Sequence, residues 1–271
     1  MENFCFKEFK VRQSHSAMKV NTDGVLLGAW LSLPCLSPGS LSVEKYKVLD
    51  IGTGTGVISL IIAQRLSKLK SAYIFCIDAI DIDKSSVEEA NYNFSNSPWA
   101  DYLIAREISL QNLLTEQNPT SNSEVKKYNR IVSNPPYFID SLKTPCKRRT
   151  SARHNDDLPY EVIIDAAVTM LEDGGALAIV LPREEGEKFI AQTTGTPLHL
   201  ARRCKVKTLA GKREKRYLME FMKARQYRNE TTKTNLAKIS IAEEVLVIQE
   251  TGGLKYTEQY KNLTKELYLN F

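Results

Sequence analysis

Cysteine and histidine are scarce in this chain. Its 271 residues include five cysteines (Cys5, Cys35, Cys76, Cys146 and Cys204) and three histidines (His15, His154 and His199). No two cysteines stand at metal-ligand spacing, and their odd number argues against a closed disulfide framework. The histidines are far apart, so no metal site is expected. Cys76 lies in an apolar run and reads as a small buried hydrophobe. A reducing cytoplasm is the expected compartment. Long apolar runs are also missing: nothing approaches the ~18 consecutive residues of a membrane span. Residues 1–9 mix charges with aromatics, against a secretory signal. Neither sign of charge dominates. A net charge of +5 and a pI near 8.8 permit a polyanionic partner without requiring one. There is no internal repeat and no clear interdomain linker. What remains, 42% hydrophobic and 25% charged, suits one large α/β domain or two small ones.

Apolar runs of strand length alternate with helical periodicity. Residues 47–51, 73–82, 102–110, 130–133 and 176–181 read as strands. Residues 57–69 (Ile58, Ile61, Ile62, Leu66 and Leu69 at helical spacing), 84–94, 160–171 and 184–192 read as helices. A polar stretch, 116–127, reads as an exposed loop, and Asp173-Gly174-Gly175 as a turn. Residues 201–209, 216–223 and 239–248 read as strands without intervening helices, which suits an antiparallel hairpin added to a parallel sheet. The pattern predicts a doubly wound α/β fold that binds ligands at the carboxyl ends of its strands.

At the end of the first of these strands the chain reads Asp50-Ile51-Gly52-Thr53-Gly54-Thr55-Gly56. Glycines permit positive φ and close approach of a ligand to the backbone, and the helix that follows offers free N–H groups. Asp50 would partner an ammonium group facing the turn. A second acid, able to accept both hydroxyls of a ribose, is expected after the next strand. Asp78, Asp81 and Asp83 are candidates: counting from the glycines favours Asp78, whereas Asp81-Ile82-Asp83 at the strand end favours Asp81, which we select. Asp83 reads as a helix cap. This constellation resembles the class I S-adenosylmethionine-dependent methyltransferases, which implies a mostly parallel seven-stranded sheet with an antiparallel C-terminal hairpin, and S-adenosylmethionine as cofactor.

Asn134-Pro135-Pro136-Tyr137 is the most specific string in the chain. The prolines stiffen the bend. The Asn134 side-chain oxygen and the Pro135 carbonyl could hold the hydrogens of a planar amine, whose lone pair is otherwise delocalised, and Tyr137 could stack on a base. The string looks like that of enzymes that methylate the amino group of adenine, cytosine or a glutamine amide.

The N-terminal string from Phe9 to Trp30 carries Thr22-Asp23-Gly24, which reads as a helix cap with Leu26, Leu27 and Trp30 on the apolar face. It also closely resembles the start of the bacterial tRNA (adenine-N6)-methyltransferases that modify adenine 37, beside the anticodon of valine tRNA. That resemblance, extended by residues 148–154, 212–220 and 256–264, covers nearly the whole chain. It implies that residues 1–45 cover the cofactor site of a methyltransferase domain spanning 46–271. Lys19, Thr22, Asp23 and Gly24 would then lie near the methionine end of the cofactor, and Ile82 beside the ribose acid. Where relatives carry an acid for the cofactor's adenine, this chain has Ser109, Leu110 and Gln111, with Ser109 the expected substitute.

Basic residues cluster in two stretches. Residues 202–216 hold eight Lys or Arg against one acid, and Lys147, Arg148, Arg149 and Arg153 follow the proline bend. Lys212, Arg213 and Arg216, together with those four, are candidates for contact with tRNA phosphates. No membrane and no obligate protein partner are implied. The alternatives are a glutamine-amide methyltransferase acting on a release factor, a DNA adenine methyltransferase, and a non-catalytic RNA-binding protein of the same fold. The glutamine-amide enzymes usually carry a larger N-terminal domain than ~45 residues allow.

Overall fold

Apolar side chains on both faces of a strand can be buried only if helices cover both faces of its sheet, and the chain folds that way. The computed structural model describes residues 3–16, 18–34, 45–69, 74–117, 125–136, 158–225 and 240–270. In chain order the elements are β1 (Asn3–Cys5), β2 (Lys10–Arg12), α1 (Thr22–Trp30), β3 (Tyr46–Ile51), α2 (Val57–Ser67), β4 (Phe75–Asp81), α3 (Lys84–Ser95), β5 (Leu103–Glu107) and α4 (Leu110–Glu116). They continue with β6 (Tyr128–Ser133), α5 (Tyr160–Met170), β7 (Leu171–Pro182), α6 (Arg183–Gln192), β8 (Leu198–Leu209), β9 (Arg216–Lys223), β10 (Ala242–Gln249) and α7 (Glu258–Thr264).

The main sheet has eight strands in the order β10-β8-β9-β7-β6-β3-β4-β5. Only β9 runs against the others: it pairs antiparallel with β7 and β8, while β10 pairs parallel with β8. β3 to β9 make up the expected seven strands, with β8–β9 as the hairpin, and β10 is an eighth strand on the edge. The first β-strands of the chain, β1 and β2, form a separate hairpin. Two apolar cores lie on opposite faces of the sheet. One gathers Leu26, Leu27 and Trp30 of α1 with Ile58, Ile61 and Ile62 of α2 and Phe94 of α3. The other gathers Leu110, Ile163, Met170 and Phe189 from α4, α5 and α6. No helix among the described residues is long and apolar enough to cross a membrane.

Three local expectations change. The cap of α1 is Asn21, whose side chain accepts from the Gly24 N–H at 2.9 Å, so Thr22, Asp23 and Gly24 form the first turn rather than the cap. The strand expected to reach residue 110 ends at Glu107, because the Ser109 side chain caps α4 by accepting from the Asn112 N–H. Asp173-Gly174-Gly175 is not a turn before the strand. It is an irregularity inside β7, where the pairing to β6 jumps from Tyr128↔Leu171 to Arg130↔Ala176, and Gly174 takes φ +81°.

Candidate active site

Strand order reverses at β3, which has β4 on one side and β6 on the other. A crevice opens at the carboxyl ends of strands at such a point. The Asp50–Gly56 turn leaves β3 there, and Asn134 leaves β6 beside it. In the register, Ile51 lies opposite Ser133, and the Ser133 hydroxyl donates to the Ile51 carbonyl at 2.9 Å. The two loops are thus tied together at their roots.

The glycines of the turn do different work. Gly52, Gly54 and Gly56 all have positive φ, +71°, +54° and +80°. A Cβ on Gly52 would meet nothing within 4 Å, so its backbone faces open space. A Cβ on Gly54 would touch the Ser16 hydroxyl and the Met18 carbonyl. A Cβ on Gly56 would stand 2.5 Å from the Phe94 ring, so this glycine is required by helix packing.

Asp50 is completely buried. Its Oδ2 accepts from the Thr53 and Ser59 hydroxyls at 2.8 and 2.7 Å, while its Oδ1 has no hydrogen-bond partner among the described residues. Burial pushes the carboxyl up to about 6, against the lowering effect of the two hydroxyls and with a smaller push from the Asp81 charge. A buried acceptor with a free lone pair fits an ammonium group. Asp81, at the end of β4, accepts from the Gly54 N–H through Oδ2 at 2.9 Å and from the Asp83 N–H through Oδ1 at 3.0 Å. Burial raises its pKa as well. Each oxygen keeps a second lone pair for a hydroxyl donor. Asp78 is engaged elsewhere, with the Tyr128 hydroxyl at 2.8 Å and Lys126 at 2.5 Å. Asp83 caps α3, as expected. Beside Asp81, Ile82 is half exposed at the rim. Leu110 is a core residue; Ser109 lies two residues past the exposed Glu107 that ends β5, and its hydroxyl accepts from the Asn112 N–H.

Asn134 is 7% exposed. Its amide nitrogen lies 3.9 Å from the Met18 sulfur, and its Oδ1 is buried without a partner among the described residues. Pro135 and Pro136 continue the bend; Tyr137 lies outside the described residues, as do Lys147, Arg148, Arg149 and Arg153. Of the N-terminal residues, Met18, Lys19 and Thr22 are exposed, and Gly24 packs its backbone on Val57 and Ile58 of α2. Asp23 is buried and forms an ion pair with Arg216 at the start of β9. Neither that pair nor the contacts of Glu89 described below could be read from the sequence, since the partners are far apart along the chain and no local pattern links them. Lys212 and Arg213 lie exposed in the β8–β9 turn.

The methyltransferase small domain family matches residues 28–208. A protein of Flavobacterium psychrophilum named tRNA1(Val) (adenine(37)-N6)-methyltransferase is 36% identical over 266 residues, 98% of this chain and 99% of that protein. The chain belongs to this family. A Phocaeicola vulgatus protein of the same name is 38% identical over 267 residues, covering 98% of this chain and 97% of that protein. The fold is also that of a crystal structure described as a predicted O-methyltransferase from Agrobacterium tumefaciens, with a TM-score of 0.59 at 14% identity over 90% of this chain and 96% of that one.

Proposed function

We propose that this protein transfers a methyl group from S-adenosylmethionine to the exocyclic amine of adenine 37 in valine tRNA, in the cytoplasm. The observation that carries the reading is a pair of buried oxygens with no hydrogen-bond partner among the described residues, Asp50 Oδ1 and Asn134 Oδ1, at the ends of adjacent strands at the crevice. One suits the cation of the cofactor's amino acid end, the other a hydrogen of the target amine.

S-adenosylmethionine supplies an electrophilic methyl group on a sulfonium. Asp50 would hold the ammonium, the open backbone of Gly52 would accept the amino acid portion, with Gly54 beside it against Ser16 and Met18, and Asp81 would take the ribose hydroxyls. Ile82 and Ser109 border the adenine. Residues 1–45 contribute the cover, with Met18 and Lys19 at the methionine end. Asn134 Oδ1 and the Pro135 carbonyl would accept the hydrogens of the target amine, so that its lone pair faces the methyl carbon. As the N–C bond forms the C–S bond breaks, leaving S-adenosylhomocysteine with a neutral sulfur, and the surplus amine proton passes to solvent. Such alignment supplies roughly 7–11 kcal/mol of a barrier when two reactants are held in line. Tyr137 offers the stacking face for the base. A base in a loop is already partly unstacked, so bringing it into the crevice costs less than extracting it from a duplex.

The tRNA lies across the β7–β9 side of the rim. Arg216, the first residue of β9, pairs with Pro182 at the carboxyl end of β7, so the β8–β9 turn stands on the same rim as Asn134. It is two strands away, about 10 Å at the usual strand spacing. Lys212 and Arg213 there are placed for phosphates; Lys147, Arg148, Arg149 and Arg153, outside the described residues, are candidates for the same role from the sequence alone. Arg216 spends its charge on Asp23.

Incubation with methyl-tritiated S-adenosylmethionine and, separately, unmodified tRNA, DNA and a release factor tests the reading. Label should appear in tRNA and, after nucleoside digestion, in N6-methyladenosine. Label in the protein or DNA fraction instead would overturn it.

A further inference from the structure

Glu89 of α3 is completely buried, yet lies outside the crevice. Its carboxylate accepts from three consecutive backbone N–H groups, those of Ser14 at 2.8 Å, His15 at 3.2 Å and Ser16 at 2.8 Å. The Arg12 guanidinium adds a fourth donor at 3.3 Å. One turn further along α3, Asn93 accepts from the Arg12 N–H and donates to the carbonyls of Arg12 and Thr55. α3 therefore grips the backbone from Arg12 to Ser16 and, through Thr55, the glycine turn itself.

The gripped segment runs straight into the crevice. The Ser16 hydroxyl lies 3.0 Å from that of Ser86 and donates to the Met18 carbonyl at 3.2 Å. The space a Cβ on Gly54 would occupy is 3.6 Å from the Ser16 hydroxyl and 3.8 Å from the Met18 carbonyl. The Met18 sulfur reaches the Asn134 amide. One strand of backbone thus touches both the turn that takes the cofactor and the residue that takes the amine.

Packing alone does not require a buried carboxylate here. Apolar contact is non-directional and would leave the path of the segment loosely fixed. Three N–H groups converging on one anion fix it by direction, and losing the acceptor would strand them without partners. We propose that Glu89 is a positioning residue for methyl transfer: it clamps residues 12–16 so that Ser16 and Met18 form one wall of the crevice between the glycine turn and Asn134. This rests on the functional reading above.

Glu89→Gln keeps the volume but turns an NH₂ toward backbone donors. It should weaken S-adenosylhomocysteine binding, read by titration calorimetry, at least tenfold while leaving the KM for tRNA within twofold. Trypsin should cut faster after Arg12 and Lys19 in the variant, and S-adenosylhomocysteine should slow cutting in the unaltered protein. Faster cutting with affinity within twofold would overturn the wall, and unchanged cutting would overturn the clamp. Should Glu89→Gln not fold, Glu89→Asp, which keeps the charge one methylene further back, is held to the same two readouts. If the unaltered protein itself fails to bind S-adenosylhomocysteine, the functional reading falls, while cutting after Arg12 and Lys19 still tests the clamp.

Discussion

Asp50 and Asn134 stand at the ends of neighbouring strands on opposite sides of the switch point, and each keeps one buried oxygen without a partner among the described residues. Leaving an acceptor unpaired in the interior costs about 1–3 kcal/mol, so two together mark a place shaped for something that donates. Their requirements differ. The Asp50 oxygen carries charge and suits a cation, whereas the Asn134 oxygen is neutral and suits an amine hydrogen.

The first prediction separates these roles. Asn134→Ala removes the acceptor for the target amine and leaves the glycine turn untouched. Turnover should fall by at least ~10², the usual effect of deleting one group that stabilises developing charge. Cofactor affinity, measured by calorimetry, should stay within threefold. Near-normal turnover in this variant would remove Asn134 from the chemistry.

Asp50 makes cofactor binding depend on pH. Its carboxyl titrates at about 6 in the folded protein, and only the ionised form pairs with an ammonium. Affinity should level off about one unit above pH 6, up to the loss of the ammonium proton at pH ~8, and fall toward tenfold per unit below pH 6; Asp50→Asn should abolish the acid step along with most of the affinity. Stability moves the other way. Because the folded pKa is raised above the unfolded one, burial of the ionised group is a cost present in full above pH 6 and absent below about 4. Asp50→Asn should therefore stabilise the protein by about 1–3 kcal/mol at pH 7.5 and by much less at pH 4, as read by denaturant unfolding. Equal effects at both pH values would refute the assignment.

Most strands and helices from residue 46 to 192 are legible because each carries its own periodicity, and the place of Asp81 at a strand end is legible for the same reason. What escaped is tertiary. Nothing in the string Val87-Glu88-Glu89 tells which acid is buried; Glu89 is, only because residues 14–16 arrive from far away in sequence. The cap of α1 was misplaced by one residue because Asn21, Thr22 and Asp23 can all accept from a helix N-terminus, and side-chain geometry decides among them. The run at 201–209 and those after it read as strands, but β10 lies parallel to β8 on its far side, a pairing no local pattern encodes.

The glycines of the turn should separate stability from binding. Gly52→Ala faces open space, so its cost is that of positive φ alone, about 1–2 kcal/mol, while its methyl group occupies the cofactor's approach. Gly56→Ala adds a collision with the Phe94 ring, worth roughly 1–3 kcal/mol more. Thermal unfolding should show Gly56→Ala as the less stable of the two, and calorimetry should show Gly52→Ala losing cofactor affinity although it remains folded. A Gly52→Ala protein that binds normally would place the cofactor elsewhere.

The last prediction concerns which cations meet RNA. Arg216 is ion-paired with Asp23, which is 4% exposed, whereas Lys212 and Arg213 project from the turn just before it. Removing a phosphate contact lowers the slope of log affinity against log salt by about one. Lys212→Ala and Arg213→Ala should each weaken tRNA binding and flatten that slope, with little change in unfolding. Arg216→Met should leave the slope unaltered but take the guanidinium away from the buried Asp23 carboxylate. The loss would be 3–5 kcal/mol for a fully buried pair; the Arg216 side chain is 30% exposed, and solvent screening brings it to about 1–3 kcal/mol. Asp23→Asn in the same background should recover part of that stability, since the buried carboxylate charge is then gone. A flattened salt slope for Arg216→Met with no loss of stability would return this arginine to the RNA surface and leave α1 without its tie to β9.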